Sequence, residues 1–258
     1  MDKSLLHEAA KSGDTLALDG LLKQGLNIDD LDRQDQTPLM IAAAFKQETI
    51  VKRLIKLKAN VNKINNTGDT ALILGSQVSD NRKILRILLR YGANVNWSNN
   101  MGRTALIEAV VKGSRQNTKE LIQWRADVNH LTHNNETPLT FAVVWSYKEI
   151  VLQLLEAGAD VNSPAPPEWP PIMYAALEGQ YKIIDLLLKG GVNPNIIDAE
   201  GETPLMKAVC SNSLASVDLL VKHGALANHI SKSGYTALRY AKERNVDKNI
   251  IYTLQRKH

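Results

Sequence analysis

His7 and Glu8 stand in the order that opens a zinc-protease HExxH helix, but Lys11 occupies the place of the second histidine and the metal would lack a ligand. His130 and His133 lie near enough in sequence to share a metal ion, yet no third or fourth ligand follows them. Cys210 is the only cysteine, which excludes an intramolecular disulfide and a paired-cysteine zinc site. No histidine or basic residue stands at a fixed spacing to activate it as a nucleophile. There is no GxSxG elbow, no phosphate-binding loop and no dinucleotide fingerprint, and Gly190-Gly191 reads as a helix end. The sequence therefore predicts no catalytic residue, no metal and no cofactor. The side chains left with chemistry to offer are large aromatics: all four tryptophans fall between residues 97 and 169.

Composition narrows the classes further. The chain has 258 residues, 44% hydrophobic and 22% charged, which is ordinary for a folded water-soluble protein. That length fits one elongated domain or two compact ones. No apolar run reaches the roughly 18 residues of a spanning helix. The opening MDKSLLHEAAKSGD has no apolar stretch for a secretory signal, so a cytoplasmic location is expected. The formal charge of +4 is local: from Lys232 to His258 there are seven basic and two acidic residues, which leaves 24 basic and 25 acidic over the rest. Phosphate neutralisation along a nucleic acid needs basic residues spread over a contact face, so only weak, salt-sensitive binding through the C-terminal end is expected.

The elements that position the aromatics repeat. Thr37-Pro38-Leu39 returns as Thr70-Ala71-Leu72, Thr104-Ala105-Leu106, Thr137-Pro138-Leu139, Thr203-Pro204-Leu205 and Thr236-Ala237-Leu238, at spacings of 33 or 34 or their double. Pro170-Pro171-Ile172 and Ser4-Leu5-Leu6 fill the remaining places. Five residues after each anchor comes a small residue (Ala9, Ala42, Gly75, Ala109, Ala142, Ala175, Ala208, Ala241), as closely packed helices require. A Leu-rich pair about twelve residues later, such as Leu54-Ile55 or Leu187-Leu188, marks a second buried helix. Glycine tends to close that helix (Gly25, Gly92, Gly158, Gly191, Gly224), and an Asn or Asp four residues on begins a polar turn. Each unit is a helix pair, and the fold class predicted is all-α.

These units resemble ankyrin repeats, whose pattern opens Thr-Pro-Leu-His-x-Ala and closes Gly-Ala-Asp-Val-Asn; GANVN at 92–96 and GADVN at 158–162 are near-literal. The resemblance covers the whole chain. It implies a solenoid of stacked helix-turn-helix units with hairpin-like fingers, forming a single domain over 1–258 with repeats near 1–33, 34–66, 67–100, 101–133, 134–166, 167–199, 200–232 and 233–258. The opening histidine survives only at His7, so properties resting on it are not carried to the other repeats. The eighth repeat puts Lys242 where others are apolar and follows it with Glu243, Arg244, Asp247 and Lys248, as a polar terminal cap would. The array is accordingly expected to be complete, with no catalytic domain to invoke.

The resemblance also implies where a partner is gripped: the residue before each Thr anchor, those three and four before it, and those seven and eight after it. Carried residue by residue, this gives Arg33, Gln36, Ala44 and Phe45 in repeat 2; Asp69, Gln77 and Val78 in repeat 3; and Met101, Arg103, Val111 and Lys112 in repeat 4. Repeat 5 adds His133, Glu136, Val144 and Trp145, repeat 6 Pro167, Trp169, Leu177 and Glu178, and repeat 7 Glu200, Glu202, Cys210 and Ser211. Trp145 and Trp169 are expected to face each other as anchors of an interface. Trp97 and Trp124 read as packing residues. Five prolines between Ser163 and Pro171 predict a stiff, extended finger presenting Trp169. The groove is expected to be basic over repeats 2–4 and acidic over repeats 5–7, suiting a basic partner segment there.

These readings converge on a non-enzymatic module that binds one protein partner in its concave groove, as inhibitor, adaptor, effector or immunity-type protein, and works as a monomer. The alternative is a ligand-sensing array that holds a small molecule or nucleotide between repeats. Repeats 3 and 4 are expected to be the weakest joint, because Gly75-Ser76 and Asn117-Thr118 replace apolar pairs and Arg125 replaces a closing glycine.

Overall fold

In each repeat the threonine of the anchor turns the chain into a helix. Thr37, Thr70, Thr104, Thr137, Thr203 and Thr236 all sit in extended backbone at the N-cap, where the hydroxyl accepts the N–H three residues on. Each such cap contributes about 1 kcal/mol. Pro170 holds this place in repeat 6 with φ −66° and no side-chain cap, so the ring alone presets the helix entry.

A computed structural model describes residues 4–163 and 169–256. It contains eight helix pairs in two compact units, 1–133 and 134–258. The first unit pairs α1 (Ser4–Ser12) with α2 (Thr15–Lys23), α3 (Pro38–Ala44) with α4 (Glu48–Lys56), α5 (Ala71–Ser76) with α6 (Arg82–Arg90), and α7 (Ala105–Val111) with α8 (Arg115–Gln123). The second pairs α9 (Pro138–Val144) with α10 (Lys148–Glu156), α11 (Pro171–Leu177) with α12 (Tyr181–Lys189), α13 (Pro204–Cys210) with α14 (Leu214–Lys222), and α15 (Ala237–Glu243) with α16 (Lys248–Gln255). Within each unit, first helices stack on first helices and second on second. The stacking faces are fully buried at Leu39, Leu106, Leu139, Ile172 and Leu205 and at Leu54, Leu88, Leu121, Leu154, Leu187 and Leu220. Truncating any of them to alanine would cost about 2–5 kcal/mol. Lys242, Glu243, Arg244, Asp247 and Lys248 are all exposed.

Fingers form by side-chain mimicry of a turn. Asp32, Asn65, Asn99 and Asp198 each stand five residues before a Thr anchor, and one side-chain oxygen accepts the main-chain N–H groups two and four residues on. The Asn four residues after the helix-closing position joins successive repeats: Asn62 accepts from the N–H of Asn94 and donates to the carbonyl of Gly92, and Asn195 does the same with Leu226 and Gly224. Left-handed backbone recurs where a helix closes. Where glycine is missing, Lys58 (φ 67°) and Arg125 (φ 61°) accept it at a cost of about 1 kcal/mol each.

Repeat 3 carries one extra residue, and the structure places it in the turn between α5 and α6. In the other seven repeats the residue that starts this second helix, or precedes it, donates its N–H to the carbonyl of the small residue in the first helix, as Gln47 does to Ala42 and Tyr147 to Ala142. The longer turn displaces that bond at Asn81. Instead the Asn81 side-chain amide donates to Gly75 and to Ala43 of repeat 2, both at 2.9 Å. Its orphaned main-chain N–H is taken at 3.0 Å by Oδ1 of Asn117 in repeat 4, whose Nδ2 donates to the Val78 carbonyl at 2.8 Å. A Cβ on Gly75 would lie 3.1 Å from Leu85 and 3.4 Å from Asn81, so the glycine makes room for this exchange. Asn117 is wholly buried and satisfied, which corrects the expectation that it merely subtracts from the core. Thr118 differs: its hydroxyl is buried with no hydrogen-bond partner among the described residues.

Candidate functional site

The position four residues after each anchor, which the groove pattern omits, lies between two buried positions on the first helix in every repeat but the eighth, where Arg239 is exposed. It holds Glu8, Ile41, Leu74 and Glu108 in the first unit, and Phe141, Tyr174, Lys207 and Tyr240 in the second. In the second unit this position ties the expected groove residues together. The Lys207 ammonium lies 4.2 Å from the ring centroid of Trp169 and 2.8 Å from Asp198, and it also pairs with Glu202. Glu202 in turn accepts the Tyr240 hydroxyl. Trp169 packs on Tyr174 at 5.5 Å between ring centroids, tilted by 58°. Thus the ring beside Trp169 is Tyr174, not Trp145 as expected; Trp145, at the C-cap of α9, is 56% exposed.

The electrostatics follow from these contacts. Burial disfavours the Lys207 ammonium, but bonds to Asp198 and Glu202 outweigh it and raise its pKa above the usual lysine value. The bond to Glu202, with burial and its charge behind it, pushes the Tyr240 hydroxyl up to about 12. Burial raises the Cys210 thiol, which is the opposite of what a thiolate nucleophile needs. Burial also raises Tyr174, and Glu136 adds to the effect. Lys207, a residue outside the groove pattern, is shared by Asp198 and Glu202, so Glu202 is committed to an ion-paired triad that keeps one net negative charge. Glu178 and Glu200 remain exposed. Pro167 and most of the proline-rich finger lie outside the described residues.

In the first unit the site residues form separate features. Phe45 lies under the Lys11 ammonium, 5.1 Å from its ring centroid, beside a cleft of about 880 Å³ lined by His7, Glu8, Leu31, Arg33 and Ile41. Arg103 reaches Glu108 at 3.5 Å, and burial holds that carboxyl above the usual range despite the arginine. Asp69 is buried in its finger and accepts from Thr67 and Asn99, so it is not a groove charge. Val78 is half-buried, with its carbonyl occupied by Asn117, whereas Met101 and Lys112 are exposed.

The remaining candidates are structural. The Trp97 indole donates to the carbonyl of Gly68 at 2.8 Å, a place taken in other repeats by His130 on Gly102 and His229 on Gly201. Trp124 donates to Glu120. Among the described residues no group of three or more His, Cys, Asp or Glu is placed to hold a metal ion, and no helix is long and apolar enough to cross a membrane.

Helix pairs opened by threonine caps and joined through polar fingers define a repeat scaffold whose first helices present a row of variable side chains. The chain belongs to the ankyrin-repeat family: the model described as "Ankyrin repeats (3 copies)" matches residues 6–99, 76–165 and 172–256. The chain is similar to the crystal structure of the human ASB11 ankyrin repeat domain, with a TM-score of 0.74 and 26% identity over 86% of this chain and 98% of that one. It is also similar to the putative E3 ubiquitin-protein ligase XBAT31 of Arabidopsis thaliana, 43% identical over 58 residues, or 22% of this chain. That match spans only 13% of the relative's length. Ankyrin repeats are in general protein-interaction modules without catalytic activity of their own.

Proposed function

We propose that this chain is a non-enzymatic module that holds one protein partner against the first-helix face of its second unit, acting by occlusion or scaffolding as an inhibitor, adaptor, effector or immunity-type protein. The observation that carries this reading is the connected row of Tyr174, Trp169, Lys207, Glu202 and Tyr240, flanked by exposed Trp145, Glu178 and Glu200. Aromatics braced by neighbours and bordered by charge are the usual anchors of an interface. The module works as a cytoplasmic monomer with no specific nucleic acid target. The small-ligand alternative gains nothing from the site, because Tyr174 and Lys207 already pack on Trp169. The ligase activity in the Arabidopsis relative's name is not carried over on a match to 13% of that protein.

Affinity purification with the wild type beside a Trp145→Ala/Trp169→Ala variant tests the reading. A partner retained by the wild type and lost from the variant is the expected result, since such anchors contribute about 2 kcal/mol or more each. Equal recovery of every bound protein by a folded variant would overturn it.

A further inference from the structure

The offsets that mark Glu200, Glu202, Cys210 and Ser211 in repeat 7 mark Ser233, Tyr235, Glu243 and Arg244 in repeat 8. The rings of Tyr235 and Tyr240 lie 4.7 Å apart, and Arg239 covers Tyr235 at 4.2 Å. The Arg244 guanidinium lies 5.8 Å from the Tyr240 centroid and near enough to Cys210 to act on its thiol. Every carboxylate of the cluster is engaged: Asp198 with Lys207, Glu202 with Lys207 and Tyr240, and Glu243 with Arg239 at 2.9 Å. Arg244 is exposed and has no ion-pair partner among the described residues. A guanidinium resting on an aromatic ring keeps its in-plane donors for a carboxylate.

The second unit therefore carries exposed Glu178 and Glu200 on repeats 6 and 7 and an exposed, pre-seated arginine on repeat 8. We propose that this face binds a peptide segment of dipolar charge, with basic residues against repeats 6 and 7 and an acidic side chain on Arg244, and that this pairing fixes the direction in which the segment lies. The inference rests on the groove reading above and adds the partner's chemistry to it. A nucleic acid fits poorly, because its phosphates would have to pass Glu178 and Glu200. From repeat 6 to repeat 8 are two helix-packing steps of about 10 Å. About six extended residues would separate the two charge blocks.

The test uses the full chain and fluorescence anisotropy at low salt with three labelled synthetic peptides: lysine block, Gly-Ser spacer, glutamate block; the same blocks in reverse order; and lysine blocks at both ends. One dipolar order is expected to bind about tenfold tighter than the other two probes. Arg244→Glu should abolish that advantage and make the all-lysine probe the tightest, with Arg244→Gln intermediate and the unfolding midpoint unchanged. Equal binding of the two orders, no measurable binding of any probe, or an unaltered preference in Arg244→Glu would overturn the proposal. If Arg244→Glu has no effect while Glu178→Lys/Glu200→Lys weakens the lysine-bearing probes, the groove reading stands and the dipolar inference falls. If neither variant nor the tryptophan pair moves any probe, both fall.

Discussion

Lys207 and Trp169 stand in adjacent repeats with the ammonium 4.2 Å from the ring centroid, and the same ammonium pairs with both Asp198 and Glu202. The lysine is the one cation buried in that cluster. Lys207→Met should cost about 3 kcal/mol at neutral pH in urea unfolding, because two carboxylates would face each other uncompensated. It should also loosen Trp169, seen as a red-shifted fluorescence against a Trp145→Ala background. A loss below about 1 kcal/mol would mean that water already does what the lysine is credited with.

The same network makes stability fall at alkaline pH. Tyr240 is raised from 10 to about 12, so the folded state holds its proton more tightly than the unfolded chain. Its contribution is complete below pH 10 and is lost as pH rises towards 12; Lys207, also raised, acts in the same direction. Tyr240→Phe should flatten that decline, and phenolate absorbance should lose its latest-titrating component. An unaltered alkaline limb would sink the assignment.

Much of this was legible in the sequence, and the boundary has a physical cause. Threonine caps, small residues in the first helix and closing glycines are local backbone demands, which repeat in phase whatever the surface does. The position occupied by Tyr174, Lys207 and Tyr240 has no such demand, since it lies beside core positions and takes whatever its neighbours across the groove require. A lysine among Leu205, Met206, Ala208 and Val209 reads as an interruption of the core until Asp198, in the finger before it, is seen as its partner.

Asn117 and Thr118 look alike in sequence and should behave oppositely. Asn117→Ile strands the Asn81 N–H and the Val78 carbonyl and should cost about 2–4 kcal/mol, with faster amide exchange through α6 and α8. Thr118→Val removes a buried hydroxyl without a partner and should be neutral or stabilising by about 1 kcal/mol. Equal destabilisation by both would show that volume, not hydrogen bonding, governs this layer.

Lys58→Gly and Arg125→Gly relieve left-handed backbone at two helix ends. Each should raise stability by about 0.5 kcal/mol after the extra entropy of glycine in the unfolded chain is offset. Lys119→Gly, in the middle of α8, should instead lower it by about 1 kcal/mol. The three unfolding curves, compared in one buffer, decide the matter.

The 34-residue repeat has a consequence for how this sequence can change. Deleting the extra turn residue would restore the main-chain bond to Gly75 but leave Asn117 buried with nothing to accept; replacing Asn117 alone orphans Asn81; adding a side chain at Gly75 crowds both. Each single reversion passes through a less stable protein, whereas the joint change need not. Gly75, the inserted residue, Asn81 and Asn117 thus form one unit of inheritance across two repeats, expected to be gained or lost together, and a recombination breakpoint between repeats 3 and 4 would separate a lesion from its remedy.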